Sequence, residues 1–149
     1  MTSINLQNLA KIGQLDPVPL SVDLVKRMLA TARQRLRDAE FTQNCDETRF
    51  DCAYTTIRVV ADIGLHLNGF RTSTSKPGHH QTAVQCLAHT LGVDAATVRV
   101  LVGLRKQRNL ADYDGELVTD AALQECLNQA RAMLIRIENV MREHPGLGG

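Results

Sequence analysis

The sequence predicts an all-α fold: an antiparallel, up-and-down bundle of four main helices with a short N-terminal helix strapped across it. Three observations carry this. Apolar residues recur at three- and four-residue spacing through every long segment between turns. No stretch of useful length alternates apolar and polar residues as a half-buried strand does. The connections are short apart from one, which favours antiparallel neighbours. The 149 residues suit a single domain with a real core, in which residues 1–20 form the strap and 145–149 a frayed tail.

The strap, INLQNLAKIGQL, is amphipathic and ends at DPVP, where two prolines close it and restart the chain. Ser21 is a good N-cap, and Asp23 sits in the first turn, where it favours the helix dipole. The helix it opens, VDLVKRMLATARQRLRDAE, places Leu24, Met28, Ala32, Leu36 and Ala39 on one stripe. A second long helix runs from about Asp46 to Asn68, with Phe50, Ala53, Tyr54, Ile57, Ala61, Gly64 and Leu65 as its stripe and Gly69 as its stop. RTSTSKPG reads as a polar loop, and HHQTAVQCLAHTLG as a third helix that ends at Gly92. Asp94 caps AATVRVLVGLRKQRNLADY, which halts at the turn YDG. A last helix, from about Thr119 to His144, carries Leu123, Leu127, Ala130, Leu134, Ile137 and Met141 on one face.

Composition narrows the function. Apolar residues are 44% and charged residues 22%, as in ordinary globular chains. A formal net charge of +1 argues against the broad positive field of a general nucleic-acid binder, so any anion recognition must be local. Aromatics at 3%, with no Trp, disfavour base-stacking platforms. No window is long and apolar enough for a membrane span, and MTSINLQNLAKIG lacks the apolar core of a signal peptide, so a cytoplasmic protein without a membrane partner is expected. Cys45, Cys52, Cys86 and Cys126 show no CxxC spacing and are expected to act as small apolar residues rather than as disulfide or zinc ligands. No metal or organic cofactor is indicated.

One stretch, LRKQRNLADYDG, breaks the apolar pattern. Val98, Leu101 and Val102 share a helix face, yet Arg105, Arg108, Asn109 and Asp112 fall within about 60° of the same face. Arg108 and Asp112 are spaced to pair along the helix. One reading is a solvated helix end, with arginine stems covering carbon while their heads stay wet. The other is a polar pocket at one end of the bundle that receives a phosphate, a task suited to the planar, permanently charged guanidinium. The phosphate-holding candidates are then Arg105, Lys106 and Arg108, with His80 from the helix start that follows Pro77-Gly78. His79 and His80 diverge by about 100° and cannot share a metal in the i, i+4 manner. His89 adds no convincing ligand set. Tyr54 reads as a core residue, Arg58 as either solvated or leaning into the polar end, and Arg71 as a loop anchor.

The segment LRKQRNLADYDG resembles the signature region of HEPN domains, helical modules of prokaryotic toxin–antitoxin and defence systems. ETRFDCAYTTIRVVADIGLHLNGFR is similar to the family's second helix, PGHHQTAVQCLAHTLG to its third, and NLAKIGQL to the leading strap of one subgroup. The family signature is an Arg, a polar residue and, four to six positions beyond the Arg, a His. Arg108 and Asn109 match the first two, and Tyr113 stands where the His is expected. The resemblance implies a homodimer with paired motifs facing one groove, an RNA or nucleotide ligand, and a partner antitoxin of nucleotidyltransferase type. It makes Arg108, Asn109 and Tyr113 the candidate catalytic residues of a metal-independent ribonuclease. Tyr113 weakens that activity, because a phenol with a pKa near 10 is a poor base. Tyr113 is also the candidate acceptor for modification by such a partner, and His80 the candidate stand-in for the missing His.

Overall fold

The computed structural model describes residues 4–114 and 117–147, with the backbone alone for 109–114. Helix α1 spans Ile4–Lys11, α2 Val22–Glu40, α3 Asp46–Leu67, α4 His79–Gln85, α5 Leu87–Thr90, α6 Ala95–Asp114 and α7 Asp120–Glu143. The chain is all-α in class, with one small addition: β1, Leu15–Pro17, pairs antiparallel with β2, Phe70–Thr72, in the register Leu15↔Thr72 and Pro17↔Phe70. The ribbon takes residues read as the end of the strap and the start of the polar loop. It pins the N-terminal segment to the turn after α3, with Val18 N–H donating to Gly69 C=O at 2.9 Å. Gly69 makes that turn at φ +83°, the left-handed conformation that glycine enters without penalty.

Helix α3 is the centre of the bundle. Its expected stripe is buried, and so are Cys52, Thr56, Val59, Val60, Ile63 and Leu67 on its other sides. A helix apolar nearly all round is one surrounded by neighbours; here they are chiefly α2 and α7, with α4 to α6 against one flank. Thr56 satisfies its buried hydroxyl within the backbone, donating to Cys52 C=O at 3.0 Å. Helix α7 buries all six residues of its expected face. In α2 the last three residues of the expected stripe, Ala32, Leu36 and Ala39, are buried, but in its first two turns the core takes the next residue along: Val25 and Leu29 are buried, whereas Leu24 and Met28 are half-buried. The caps form as read, with Ser21 Oγ accepting from Leu24 N–H at 3.3 Å and Asp94 Oδ1 from Thr97 N–H at 2.7 Å.

The expected third helix is broken at Cys86 into α4 and α5. Beyond the break, Thr90 and Leu91 lie against Gly64 of α3, where there is no side chain to hold them off. The expected frayed tail instead begins with a 3-10 turn, Pro145–Leu147. His144 holds it by bridging Leu67 C=O, at 3.2 Å, and Gly146 N–H, at 3.0 Å. Cys52, Cys86 and Cys126 are buried and free, as small apolar residues would be, but Cys45 is exposed at the start of α3, with Sγ 3.1 Å from Thr48 Oγ1.

Candidate anion site between α3, α4 and α6

In α3, Tyr54, Arg58, Asp62 and His66 recur every four residues and form one polar line on a helix otherwise buried in carbon. Asp51 precedes them one turn earlier. Helix α4 lays His79, His80 and Gln81 along this line, and α6 brings Arg105 and Arg108 to its upper end. The arginines of α6 therefore interrupt an apolar face because that face runs off the core onto a polar seam. Leu101 and Leu104 are the last buried side chains of α6 before it does so.

Arg108 Nε donates to Asp51 Oδ1, and its guanidinium carbon stands 5.8 Å from the Tyr54 ring centroid, within cation–π range. The pair is 36% and 51% exposed on its two sides, so water and salt screen it and it adds little stability. Arg105 Nη1 donates to Gln81 Oε1 at 2.9 Å. Arg58 Nη1 lies 3.4 Å from His80 Nδ1. Guanidinium has no acceptor, so this contact requires a bare Nδ1 and puts the proton of the neutral ring on Nε2. Among the described residues, neither Arg58 nor Arg105 has a carboxylate at salt-bridge distance. Their direct acceptors are an amide and a neutral imidazole, so neither charge is met by a carboxylate at contact, although Asp62, one turn from Arg58 on α3, acts on it from farther off.

The neighbours register that field. Burial, and then Arg58, His79, Arg105 and Arg108, push His80 down to about 4, so its ring is neutral at physiological pH. Tyr54 is 2% exposed, and burial raises its pKa against the opposing pull of Arg105, Arg108 and Arg58. Its hydroxyl has no hydrogen-bond partner among the described residues. Farther along the seam, burial pushes Asp62 up to about 6, against the opposing influence of Arg58 and His79. Burial, with Arg71, lowers His66, whose Nδ1 is buried without a partner.

The seam thus unites Arg105, Arg108 and His80 from the sequence-derived set and adds Arg58. Lys106 is exposed and lines a separate groove with Gln85, Val98 and Val102. The side chains of Asn109 and Tyr113 lie outside the described residues. Asp51, Gln81, Asp62 and His66 are additions that the structure makes to the sequence expectation. The signal for Asp62 and His66 was available, since both continue the four-residue spacing from Tyr54 and Arg58. Asp51 and Gln81 carry no such signal, because only the packing of α6 and α4 gives them partners. Among the described residues, no group of three His, Cys, Asp or Glu side chains is placed to hold a metal ion, and no helix is long and apolar enough to cross a membrane. Comparison with protein families, with curated proteins and with solved structures finds no match for the chain.

Proposed function

We propose that this chain is a HEPN-like helical domain that binds the phosphate of RNA or of a nucleotide at the α3–α4–α6 seam. The observation that supports this best is the choice of acceptors: Arg58 and Arg105 lean on a neutral imidazole and an amide, beside Arg108 on a screened carboxylate. A phosphate can take up the donors these contacts leave open, and it can replace Asp51 at little cost. Asn109 follows Arg108 on α6 and matches the second position of the signature by resemblance, while Tyr113 stands where the family has His. The domain acts as a homodimer in which two copies of α6 face one groove. The exposed Gly103, whose missing side chain would meet nothing within 4 Å, leaves room for close helix approach.

The test is fluorescence anisotropy with a labelled single-stranded RNA, in EDTA, for the wild type, Arg105→Ala and Arg108→Ala. Each substitution should weaken binding by about tenfold and lower the salt slope by about 0.7, the loss of one phosphate contact on a single strand. Equal affinity in all three proteins overturns the site. Light scattering at micromolar concentration should give the dimer mass, and a monomer overturns the paired groove.

A second reading, metal-independent cleavage of the bound RNA, is favoured by His80. Its neutral ring stands among the arginines, and a bound phosphate would offset the positive charges that help hold its pKa down. Intact RNA after incubation with the wild type in EDTA removes this reading and leaves the binding one.

A further inference from the structure

Beside His80, on the side away from Arg105, the seam opens into a cavity of about 200 Å³ lined by Met28, Asp62, His66, Arg71, His79 and His80. Asp62 and Arg71 face this cavity with opposite charges. Neither side chain makes a hydrogen bond or an ion pair with a described residue, each other included. His66 adds a buried Nδ1 without a partner. Asp62 is half-buried and Arg71 exposed; a half-buried carboxylate without a partner is costly unless something fills its hydrogen-bonding capacity, and the hydrated guanidinium beside it is a free donor. A carboxylate accepts only, through two oxygens, and a guanidinium donates only, through a fork. The ligand that satisfies both must present two adjacent donors on one edge and two adjacent acceptors on the next.

We propose that this cavity takes a guanine base, its N1–H and N2–H₂ on Asp62 and its O6 and N7 on Arg71, while the phosphate of the same nucleotide lies on Arg58 and Arg105. The proposal rests on the phosphate-binding reading above. Guanine alone among the common bases pairs those two edges. Adenine has no donor pair for a carboxylate, cytosine offers a single amino group and uracil a single ring N–H. Met28 supplies an apolar wall for the face of the ring. Arg58 and Asp62 are one turn apart on α3, about 6 Å of rise, within the span of one nucleotide. Recognition of an unstacked base by its edges is also how single-stranded RNA is read.

Calorimetric titration of the full chain with GMP, AMP, XMP and ribose 5-phosphate tests this in the wild type and in Asp62→Asn, with circular dichroism confirming that the variant folds. The wild type should bind GMP about tenfold more tightly than AMP or ribose 5-phosphate, the discrimination of one good bidentate contact. Asp62→Asn should lose that preference and favour XMP, whose carbonyl at position 2 meets the asparagine amide. Equal binding of GMP, AMP and ribose 5-phosphate overturns the guanine pocket and leaves the phosphate site standing. A GMP preference undiminished in Asp62→Asn also overturns it. Binding of none of the four overturns both.

Discussion

Asp62 and His80 line the same cavity, and their pKa values move in opposite directions, which makes their effect on stability separable. Asp62 rises from the usual 3.8 to about 6, so between those values the folded state holds a proton that the unfolded chain has released. Stability from this group therefore falls as pH rises through that window. The gap of 2.2, at 1.36 kcal/mol per pKa step, is about 3 kcal/mol. His80 drops from 6.5 to about 4, so between those values the unfolded chain binds the proton first, and stability rises with pH. The ring is only partly buried, so solvent screens this group and its share is smaller, on the order of 1–2 kcal/mol. In the wild type the two slopes oppose each other between pH 4 and 6, where the windows overlap.

Single variants should uncover each slope. Asp62→Asn removes the falling one, so relative to the wild type it gains about 3 kcal/mol between pH 4 and pH 7. His80→Gln removes the rising one, so relative to the wild type it loses on the order of 1–2 kcal/mol over the same interval. The assay is urea unfolding at a series of pH values, followed by the helical circular dichroism signal because the chain has no Trp. Stability curves of both variants that run parallel to the wild type across the window would refute the reasoning, since they would mean that neither group changes its proton affinity on folding.

Three further outcomes follow from the packing. Gly64→Ala places a Cβ 2.8 Å from Thr90 Oγ1 and 3.2 Å from Thr90 Cβ, so urea unfolding should show a loss of about 1–2 kcal/mol after the gain in helix propensity; adding Thr90→Ala should recover most of it. Tyr54→Phe removes a buried hydroxyl that has no partner, so it should be neutral or stabilise by about 1 kcal/mol, and a loss of more than that in urea unfolding would mean the hydroxyl is satisfied. Asp51→Asn takes the competing carboxylate from Arg108 and should tighten RNA binding severalfold in the anisotropy assay, with weaker binding counting against a phosphate at this arginine.

The helices were legible because their periodicity extends over many turns, and the caps because Ser21 and Asp94 sit directly before apolar runs. Three features were not. The β1–β2 ribbon has three residues per strand, too few for alternation to show, and Pro17 belongs to one of them. In α2 the apolar residues come as adjacent pairs, Leu24-Val25 and Met28-Leu29, so the stripe could be drawn on either of two faces about 100° apart. Only the neighbouring helices decide between them. The central place of α3 is hidden for a related reason: one stripe accounts for an amphipathic helix, and Val59, Val60 and Ile63 form a second buried side only once neighbours cover it. The site was half legible. Arg105 and Arg108 stood out as charge where core was due, but what they face lies on α3 and α4, and sequence spacing does not reach across helices.

The arrangement of acceptors explains how a chain of net charge +1 can concentrate a positive field. Most of the described arginines with ion pairs spend their charge on carboxylates away from the seam: Arg33 on Glu138 at 2.6 Å and Arg131 on Glu40 at 2.9 Å between α2 and α7, and Arg35 and Arg49 on acids one turn away. Those pairs are screened and leave little potential behind. At the seam, Gln81 and His80 fix the orientation of Arg105 and Arg58 and leave their charge intact. Were either of these acceptors an acid, the guanidinium would be held equally well and the field would be lost. The depressed pKa of His80 registers burial first and these charges second: the arginines that help hold it near 4 are the ones offered to a phosphate, and neutralising them removes the electrostatic part of the shift.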